Sequence, residues 1–390
     1  MRILHTADWH AGRTLHGRSR TEEVRASLAA LADIACESAD VVLVSGDLYD
    51  SPTPSAEAEQ AVYEFFHTLA TEGVPAVVIA GNHDSPDRID AVANVLALAR
   101  VHAIGTPRTR SKGGRTTIAT RAGDLQVATL PFISHRRLIR SQHLLGLGDD
   151  GQRVTYQEGM RTLFANLTAG MDLSVPSVFM FHGTMDGATL SSEYTFHSVD
   201  AYAVPGDLIP PWITYAALGH IHVPQPVAGM DSDRARYPGS LIQLDFGDAG
   251  YPRGALMVTI DDLLVQSVEP IHLTNARPLI VADVTPDTVA EWTTDYRTPG
   301  AAYVKLRVHL PEPRPGMKER LHREGPDVIA VDFILPEHER PEPVRIDAGE
   351  VDFERAFREY MVDQRGAEPS PDLAAAFQRV DHATTPKESA

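Results

Sequence analysis

VPAVVIAGNHD, residues 74–84, starts as a buried strand and stops on polar groups. Five of its first six side chains are apolar, and the segment then runs through Gly81 into Asn82, His83 and Asp84. Burying polar groups without partners costs free energy. Either these three residues sit in a solvated loop or something binds them.

Working outward, the same design recurs. Residues 2–7, 41–46, 75–80, 177–181 and 213–218 are short apolar segments rich in Val, Ile, Leu and Phe, and they read as buried strands. Helical periodicity fills 21–38 and 56–70 between the first three, so a layered α/β core is expected. From 237 to 272, strands separated by turn residues suggest antiparallel pairing that completes a second sheet. A new unit begins near Arg277 and Pro278, with strands expected in PLIVADV (278–284) and AAYVKLRVHL (301–310) around a helical TVAEWTTDY (288–296). PEHERPEPVR (336–345) reads as a proline-rich charged linker. DFERAFREYMVDQRG (352–366) and SPDLAAAFQRVDH (370–382) read as two short helices. The expected divisions are 1–275, 276–337 and 338–390, with no internal repeat.

Each expected strand closes on the same kind of chemistry. The first ends in Asp8 and His10, the second in Asp47, the third in Asn82 and His83, and the last two in His182 and in His220 and His222. Ligands in open α/β sheets bind outside the carboxyl ends of the strands, so these residues are expected to converge. Asp8 and His10, like His220 and His222, are spaced i and i+2, and each pair would point the same way if extended. Glycines at 12, 46, 81, 183 and 219 permit sharp turns beside them. A single histidine of this kind is an ordinary structural or surface group; five strand ends closing on ligand-type residues are not accounted for that way. Carboxylate, imidazole and amide oxygen together suit Mn²⁺ or Fe²⁺, with Zn²⁺ open and Mg²⁺ a poorer match. Two such ions about 4 Å apart would lower the pKa of a bridging water and clamp a phosphoryl group. Asp47 is the central candidate to serve both.

The chain has 390 residues, 43% hydrophobic and 23% charged, which is ordinary globular composition with room for more than one domain. Its one cysteine, Cys36, excludes an intramolecular disulfide framework and a cysteine zinc site, and fits a reducing compartment. Without a secretory pattern at MRILHTADWH, and with no apolar run long enough to span a bilayer, a cytoplasmic location is expected, with no membrane partner. The net charge of −18 argues against a polyanionic partner taken as a whole-chain sum. Acidic residues crowd after about residue 312, while PRTRSKGGR (107–115) and HRRLIR (135–140) are locally basic. Runs of that kind are commonly solvated faces and do not by themselves support nucleic-acid binding.

The series DWH, GDLYD, GNHD, HG and GHIH resembles the metallophosphoesterase (calcineurin-like phosphoesterase) superfamily. Longer stretches, HTADWHAGR, GDLYDSPTPS, GNHDSPDR, FHGTMDGATLSSE, GHIHVPQP and YPGSLIQLDFGD, resemble its SbcD-type branch of bacterial nuclease subunits. The resemblance is strong over most of the first 270 residues and follows layout alone in the remainder. It implies a four-layer α-β-β-α sandwich with a small α+β capping domain and C-terminal helices. It also implies one Mn²⁺ ion held by Asp8, His10, Asp47 and His222, and a second by Asp47, Asn82, His182 and His220. His83 would be the catalytic group near the scissile phosphate, acting on the leaving oxygen or the transition state. Asp84 would orient His83, or else serve in a turn or helix cap. Asp50 stands where archaeal and eukaryotic relatives have a substrate-contacting histidine, so it is left out of the catalytic set.

The implied activity is 3′-to-5′ exonuclease on duplex DNA and endonuclease on single strands and hairpins, in double-strand-break repair. The implied partner is an SbcC-type ABC ATPase, with a homodimer of this chain inside a heterotetramer. The terminal helices would dock on that partner through Phe353, Phe357 and Tyr360, or else pack on their own domain. No GxxxxGK[ST] segment occurs, so ATP hydrolysis would fall to the partner. One rival is another metallophosphoesterase, acting on cyclic nucleotides or small phosphodiesters; the expected cap and terminal helices favour the nuclease. The other is a non-catalytic scaffold, which has no need of a complete ligand set plus His83. A serine hydrolase is not supported, since no GxSxG occurs.

Overall fold

The structure, a computed structural model, describes residues 1–134, 138, 156–189, 203–231, 233–289, 301–311, 314–325 and 327–335, together with 357, 358, 361, 369–371, 373, 374, 376 and 377. The expected helix at 288–296, the linker at 336–345, the two terminal helices and the HRRLIR run lie wholly or largely outside these residues. So do the end of FHGTMDGATLSSE and residues Phe353 and Tyr360.

β1 (Arg2–Thr6) is followed by a short hairpin of β2 (Thr14–Leu15) and β3 (Arg18–Ser19). α1 (Thr21–Ser38) leads to β4 (Val41–Val44), α2 (Ala56–Thr71) to β5 (Ala76–Ile79), and α3 (Pro86–Leu98) to β6 (Val101–Ile104). Two of these helices start where the sequence provides caps: the hydroxyl of Ser55 accepts from Ala58 N, and that of Ser85 from Arg88 N with Pro86 opening the helix. β1, β4, β5 and β6 are parallel neighbours.

The second sheet takes β7 (Arg115–Thr120), β8 (Gly123–Leu130), β9 (Ser177–His182), β10 (Tyr215–Gly219), β11 (Gln225–Pro226) and β12 (Ala235–Tyr237). α4 (Tyr156–Thr168) precedes β9. β13 (Gly254–Asp261) and β14 (Leu264–His272) pair antiparallel, as their turn residues suggested. They do not complete the second sheet, however. β13 runs antiparallel beside β1, so the pair extends the first sheet, whose order is β14-β13-β1-β4-β5-β6. Local turn chemistry fixes the hairpin but carries no information about the edge it joins.

Three apolar layers follow from strand alternation. Ile3, Leu43, Val77 and Ile79 of the first sheet meet Val127, Val178, Met180 and Tyr215 of the second. The opposite face of the first sheet, with Leu4, Val42, Val44 and Val78, packs on Leu28, Leu31, Phe65 and Phe66 of α1 and α2. The outer face of the second, with Leu130, Phe179 and Phe181, packs on Met160, Leu163 and Phe164 of α4. Helix, sheet, sheet and helix thus form four layers. Each fully buried Leu or Phe contributes about 1.5–3 kcal/mol of transfer free energy.

β15 (Leu279–Val284), β16 (Tyr303–His309) and β17 (Val328–Ile334) form a parallel three-stranded sheet, with α5 (Met317–Glu324) between the last two. One residue from each of its strands, Leu279, Tyr303 and Ala330, shares a small apolar cluster with Leu15 and Phe246 of the large sandwich. Residues 1–335 form one compact unit and 336–390 a second. Within the second, Phe357 stacks flat on Phe377 with centroids 4.2 Å apart, so this ring has a partner inside its own unit. No described helix is long and apolar enough to cross a membrane.

Candidate metal centre

The loops after β1 and β4 run side by side and lock each other. Asp8 N donates to Gly46 O at 3.0 Å, and Trp9 N and His10 N donate to Asp47 O at 2.9 and 3.1 Å. Trp9 anchors the first loop, buried against Phe65 and Phe66. Asp8, His10, Asp47 and His220 all have positive φ, at 53°, 47°, 52° and 98°. Strained backbone of this kind costs of order 1–3 kcal/mol per residue and persists only where its surroundings fix it. The extended i, i+2 reading is therefore overturned for both pairs, since left-handed turns aim these side chains. His220 and His222 even enter different groups.

Asp8, His10 and His222 bring one donor atom each to within 4.8 Å of one another, and Asp47, His182 and His220 do the same. Asn82 Oδ1 joins the second group, 3.0 Å from His182 Nε2 and 2.8 Å from His220 Nδ1. Asp47 stands between the groups, with Oδ2 3.6 Å from His10 Nε2 and 3.5 Å from His182 Nε2. All seven expected ligands are thus brought together. His83 lies alongside, its main-chain N–H donating to Asp47 Oδ1 at 2.8 Å and its ring 4.7 Å from that of His10.

Glycine is needed at two places by close approach. A Cβ on Gly81 would overlap Asp47 Oδ1, and one on Gly46, whose φ is +96°, would overlap the His182 ring.

The charges are uneven. Burial would raise the Asp47 carboxyl, but His182, His10 and His83 together hold it well below the usual carboxylate range. Burial instead wins at Asp8, which is raised well above that range despite His182. Burial pushes His182 down, yet the adjacent Asp47 outweighs it and lifts the imidazole to about 9. Burial, with His182 close by, lowers His220 to about 3, and burial with His10 lowers His222 well below its ordinary value. The Asp47 carboxylate therefore favours the protonated form of His182 beside it, while burial favours the neutral forms of His220 and His222.

The donor set fits divalent ions. His182 Nδ1 donates to Ser45 O at 2.7 Å, which leaves Nε2 to face Asp47 and Asn82. His10 Nδ1 lies 3.2 Å from Asp50 Oδ1, while its Nε2 is buried with no hydrogen-bond partner among the described residues. A buried, partnerless imidazole nitrogen beside a carboxylate is an atom that a bound cation would satisfy. Asp8, His10, Asp47 and His182 are almost fully buried, whereas Asn82 is exposed and His83 and His220 are half-exposed. The mouth of the cluster is therefore formed by Asn82, His83 and His220.

Several groups support the cluster. Asp84 accepts from Gly81 N, Tyr49 N and Leu48 N at 2.8, 3.0 and 3.2 Å. It is a clamp on the turn, and the His83 ring is instead held by the Asp50 carbonyl, 3.0 Å from Nδ1. Phe132 sets its ring 6.2 Å from that of His182 and 6.1 Å from that of His220. Arg253 binds the carbonyl of His222 while paired with buried Asp248 at 2.8 Å. Asp84 thus takes the turn role that the sequence left open for it, whereas Phe132, Asp248 and Arg253 were not singled out. The basic run at 107–115 is not a free patch: Arg108 pairs with Asp90 at 2.8 Å, and Arg110 and Arg115 both donate to Ala169 O.

A cluster of ligand-type side chains at the strand ends of a four-layer α-β-β-α sandwich fits a metallophosphoesterase, and residues 1–224 match the calcineurin-like phosphoesterase family, to which the chain belongs. The SbcD component of nuclease SbcCD from Bacillus subtilis is 30% identical over 386 residues, covering 97% of this chain and 97% of the relative. The protein of the same name from Rhodobacter capsulatus is 36% identical over 298 residues, 72% of this chain and 70% of the relative. That from Escherichia coli K12 is 30% identical over the same length and shares. Within its family the chain is an SbcD-type metallophosphoesterase.

Proposed function

We propose that this chain is the nuclease subunit of a DNA-processing complex, hydrolysing phosphodiesters with two divalent ions, Mn²⁺ by preference. The observation that carries the reading is Asp47 lying between two groups of ligand atoms with His83 beside it. Asp8, His10, Asp47 and His222 would hold one ion, and Asp47, Asn82, His182 and His220 the other. Bound there, the ions would supply a nucleophilic water at neutral pH and neutralise phosphate charge.

The chain's own residues do the rest. His83 is half-exposed with its Nδ1–H donating to the Asp50 carbonyl, so in the doubly protonated ring Nε2 is the nitrogen that can give its proton to the leaving oxygen. The Ser45 carbonyl fixes the ring of His182 through Nδ1, and the Asp8 carboxylate accepts the His220 main-chain N–H at 3.0 Å, holding the ligand loops in register. Water is excluded from the inner ligands by Trp9 and the packed loops, while the outer three remain accessible to a phosphate.

The activities that suit this reading are 3′-to-5′ exonuclease on duplex ends and endonuclease on single strands or hairpins, in double-strand-break repair. The relatives are named as components of a complex, SbcCD, and an SbcC-type ATPase is the proposed partner. Self-association as a dimer is supported by α3, where Val95 and Leu98 are 67% and 87% exposed on a helix that is largely apolar. The single cysteine suits a cytoplasmic setting.

The test is end-labelled duplex DNA with Mn²⁺, run beside a chromogenic small phosphodiester and with His83→Ala. The expected outcome is DNA degradation that His83→Ala slows by about 10²- to 10⁴-fold while ion binding persists. Cleavage of the small ester alone, with or without an ATPase partner, would remove the DNA assignment.

A further inference from the structure

Asp50 touches the ring of a candidate ligand and the ring of the candidate proton donor, both from behind. Its carboxylate Oδ1 lies 3.2 Å from His10 Nδ1 and accepts from Arg13 Nη1 at 3.3 Å. Its main-chain carbonyl accepts from His83 Nδ1 at 3.0 Å. Its own N–H donates to Ala11 O at 3.1 Å, which ties the second loop to the first between these two contacts. Arg13 is held in turn by the carbonyl of Leu244 at 3.3 Å.

These contacts fix a tautomer and an orientation. When His10 Nδ1 carries the hydrogen and donates it to Asp50, Nε2 keeps its lone pair. This atom is buried, without a hydrogen-bond partner among the described residues, and 3.6 Å from Asp47 Oδ2. A carboxylate behind a ligating imidazole also makes that imidazole a stronger donor. The His10 and His83 rings stand edge to face, 4.7 Å apart with an interplanar angle of 78°, and Asp50 contacts both of them.

We propose that Asp50 is a positioning residue for phosphodiester hydrolysis, its side chain orienting His10 toward a divalent ion and its carbonyl orienting His83 toward the leaving oxygen. The proposal rests on the two-ion nuclease reading above. Its two halves separate cleanly, because side-chain substitution removes the support of His10 and leaves the carbonyl that holds His83. Asp50→Asn keeps the shape and an acceptor oxygen but no charge; Asp50→Ala keeps neither.

The experiment is a Mn²⁺ titration of the full chain, followed by calorimetry and by electron paramagnetic resonance, on the parent, Asp50→Asn and Asp50→Ala. Metal-free thermal melts serve as the folding control, and DNA cleavage at saturating Mn²⁺ is measured alongside. Support consists of one ion weakened about 10- to 100-fold in Asp50→Ala and less in Asp50→Asn, the other ion bound as in the parent, and metal-free melting unchanged. The pH profile of residual cleavage then matches the parent, because His83 keeps its acceptor. Two ions bound by Asp50→Ala with parental affinity overturn the proposal, as does a parent that binds no ion. Intact DNA after incubation with the ion-loaded parent overturns the nuclease reading instead, and the difference in affinity still decides Asp50.

Discussion

His5 sits three residues before the first candidate ligand and does none of the ligating. It is fully buried between the two sheets, with Nδ1 2.8 Å from Tyr215 Oη and Nε2 3.1 Å from both Leu218 O and Ser45 Oγ. Burial, opposed by the Leu218 carbonyl and reinforced by Arg236, holds it at about 3, below the ordinary 6.5. The sign follows from which state binds the proton. Between these two values the unfolded chain protonates His5 and the folded chain does not, so acid favours unfolding. This stability is complete above about pH 6.5 and drains away toward pH 3, at up to about 1.4 kcal/mol per pH unit. Urea midpoints of the metal-free parent and of His5→Gln should therefore converge as the pH falls from about 7.5 to about 5. A gap that stays constant over that range would refute the account. Such a residue is illegible in sequence, where His5 looks like one more histidine of a ligand motif. Its partners Tyr215 and Leu218 are more than two hundred positions away, and only the face-to-face packing of the sheets brings them near.

At the scale of elements, the strand ends were legible because buried parallel strands are continuous apolar runs, and because the polar groups that break them stand out. What the sequence could not convey was the path of the backbone after each strand. The spacing of Asp8 and His10 suggested extended chain, but both residues are left-handed, held by hydrogen bonds from one loop to carbonyls of another. Nor does a hairpin declare its neighbour, which is why β13 and β14 were expected beside the wrong sheet. The basic run at 107–115 makes a similar point. Arg110 and Arg115 converge on the carbonyl of Ala169, just past the end of α4, where cations complement the helix dipole and its free carbonyls. Replacing both by alanine should lower stability by about 1 kcal/mol, read as a fall in melting temperature, and leave affinity for duplex DNA within about twofold. A loss of DNA affinity with unchanged melting would show that the run works as a nucleic-acid patch after all.

For residues 1–335 as a whole, the question is how the small sheet is held to the sandwich, since the shared apolar cluster of Leu15, Phe246, Leu279, Tyr303 and Ala330 is modest. Arg20 supplies much of the remainder. It is fully buried and binds Glu23 Oε2 through Nε at 2.7 Å, Gln243 O at 3.0 Å and Arg277 O at 3.2 Å. Its guanidinium lies 5.1 Å from the centre of the Tyr303 ring, which Arg277 also approaches to 4.9 Å. Gln243 closes the same seam by accepting from Leu279 N at 2.7 Å. A buried charge serving this many acceptors cannot be removed quietly, because Glu23 and two carbonyls lose their donor together. Breaking a buried ion pair from one side typically costs about 3–5 kcal/mol. Arg20→Met, which keeps most of the aliphatic bulk, should therefore loosen the small sheet without reaching the candidate ligands. Limited proteolysis should cut the connection between β14 and β15 faster in this variant, while Mn²⁺ binding stays at the parental value. Parental rates of cutting and parental melting would show that the apolar cluster alone holds the two parts together, and weakened Mn²⁺ binding would show that the seam and the metal centre are coupled.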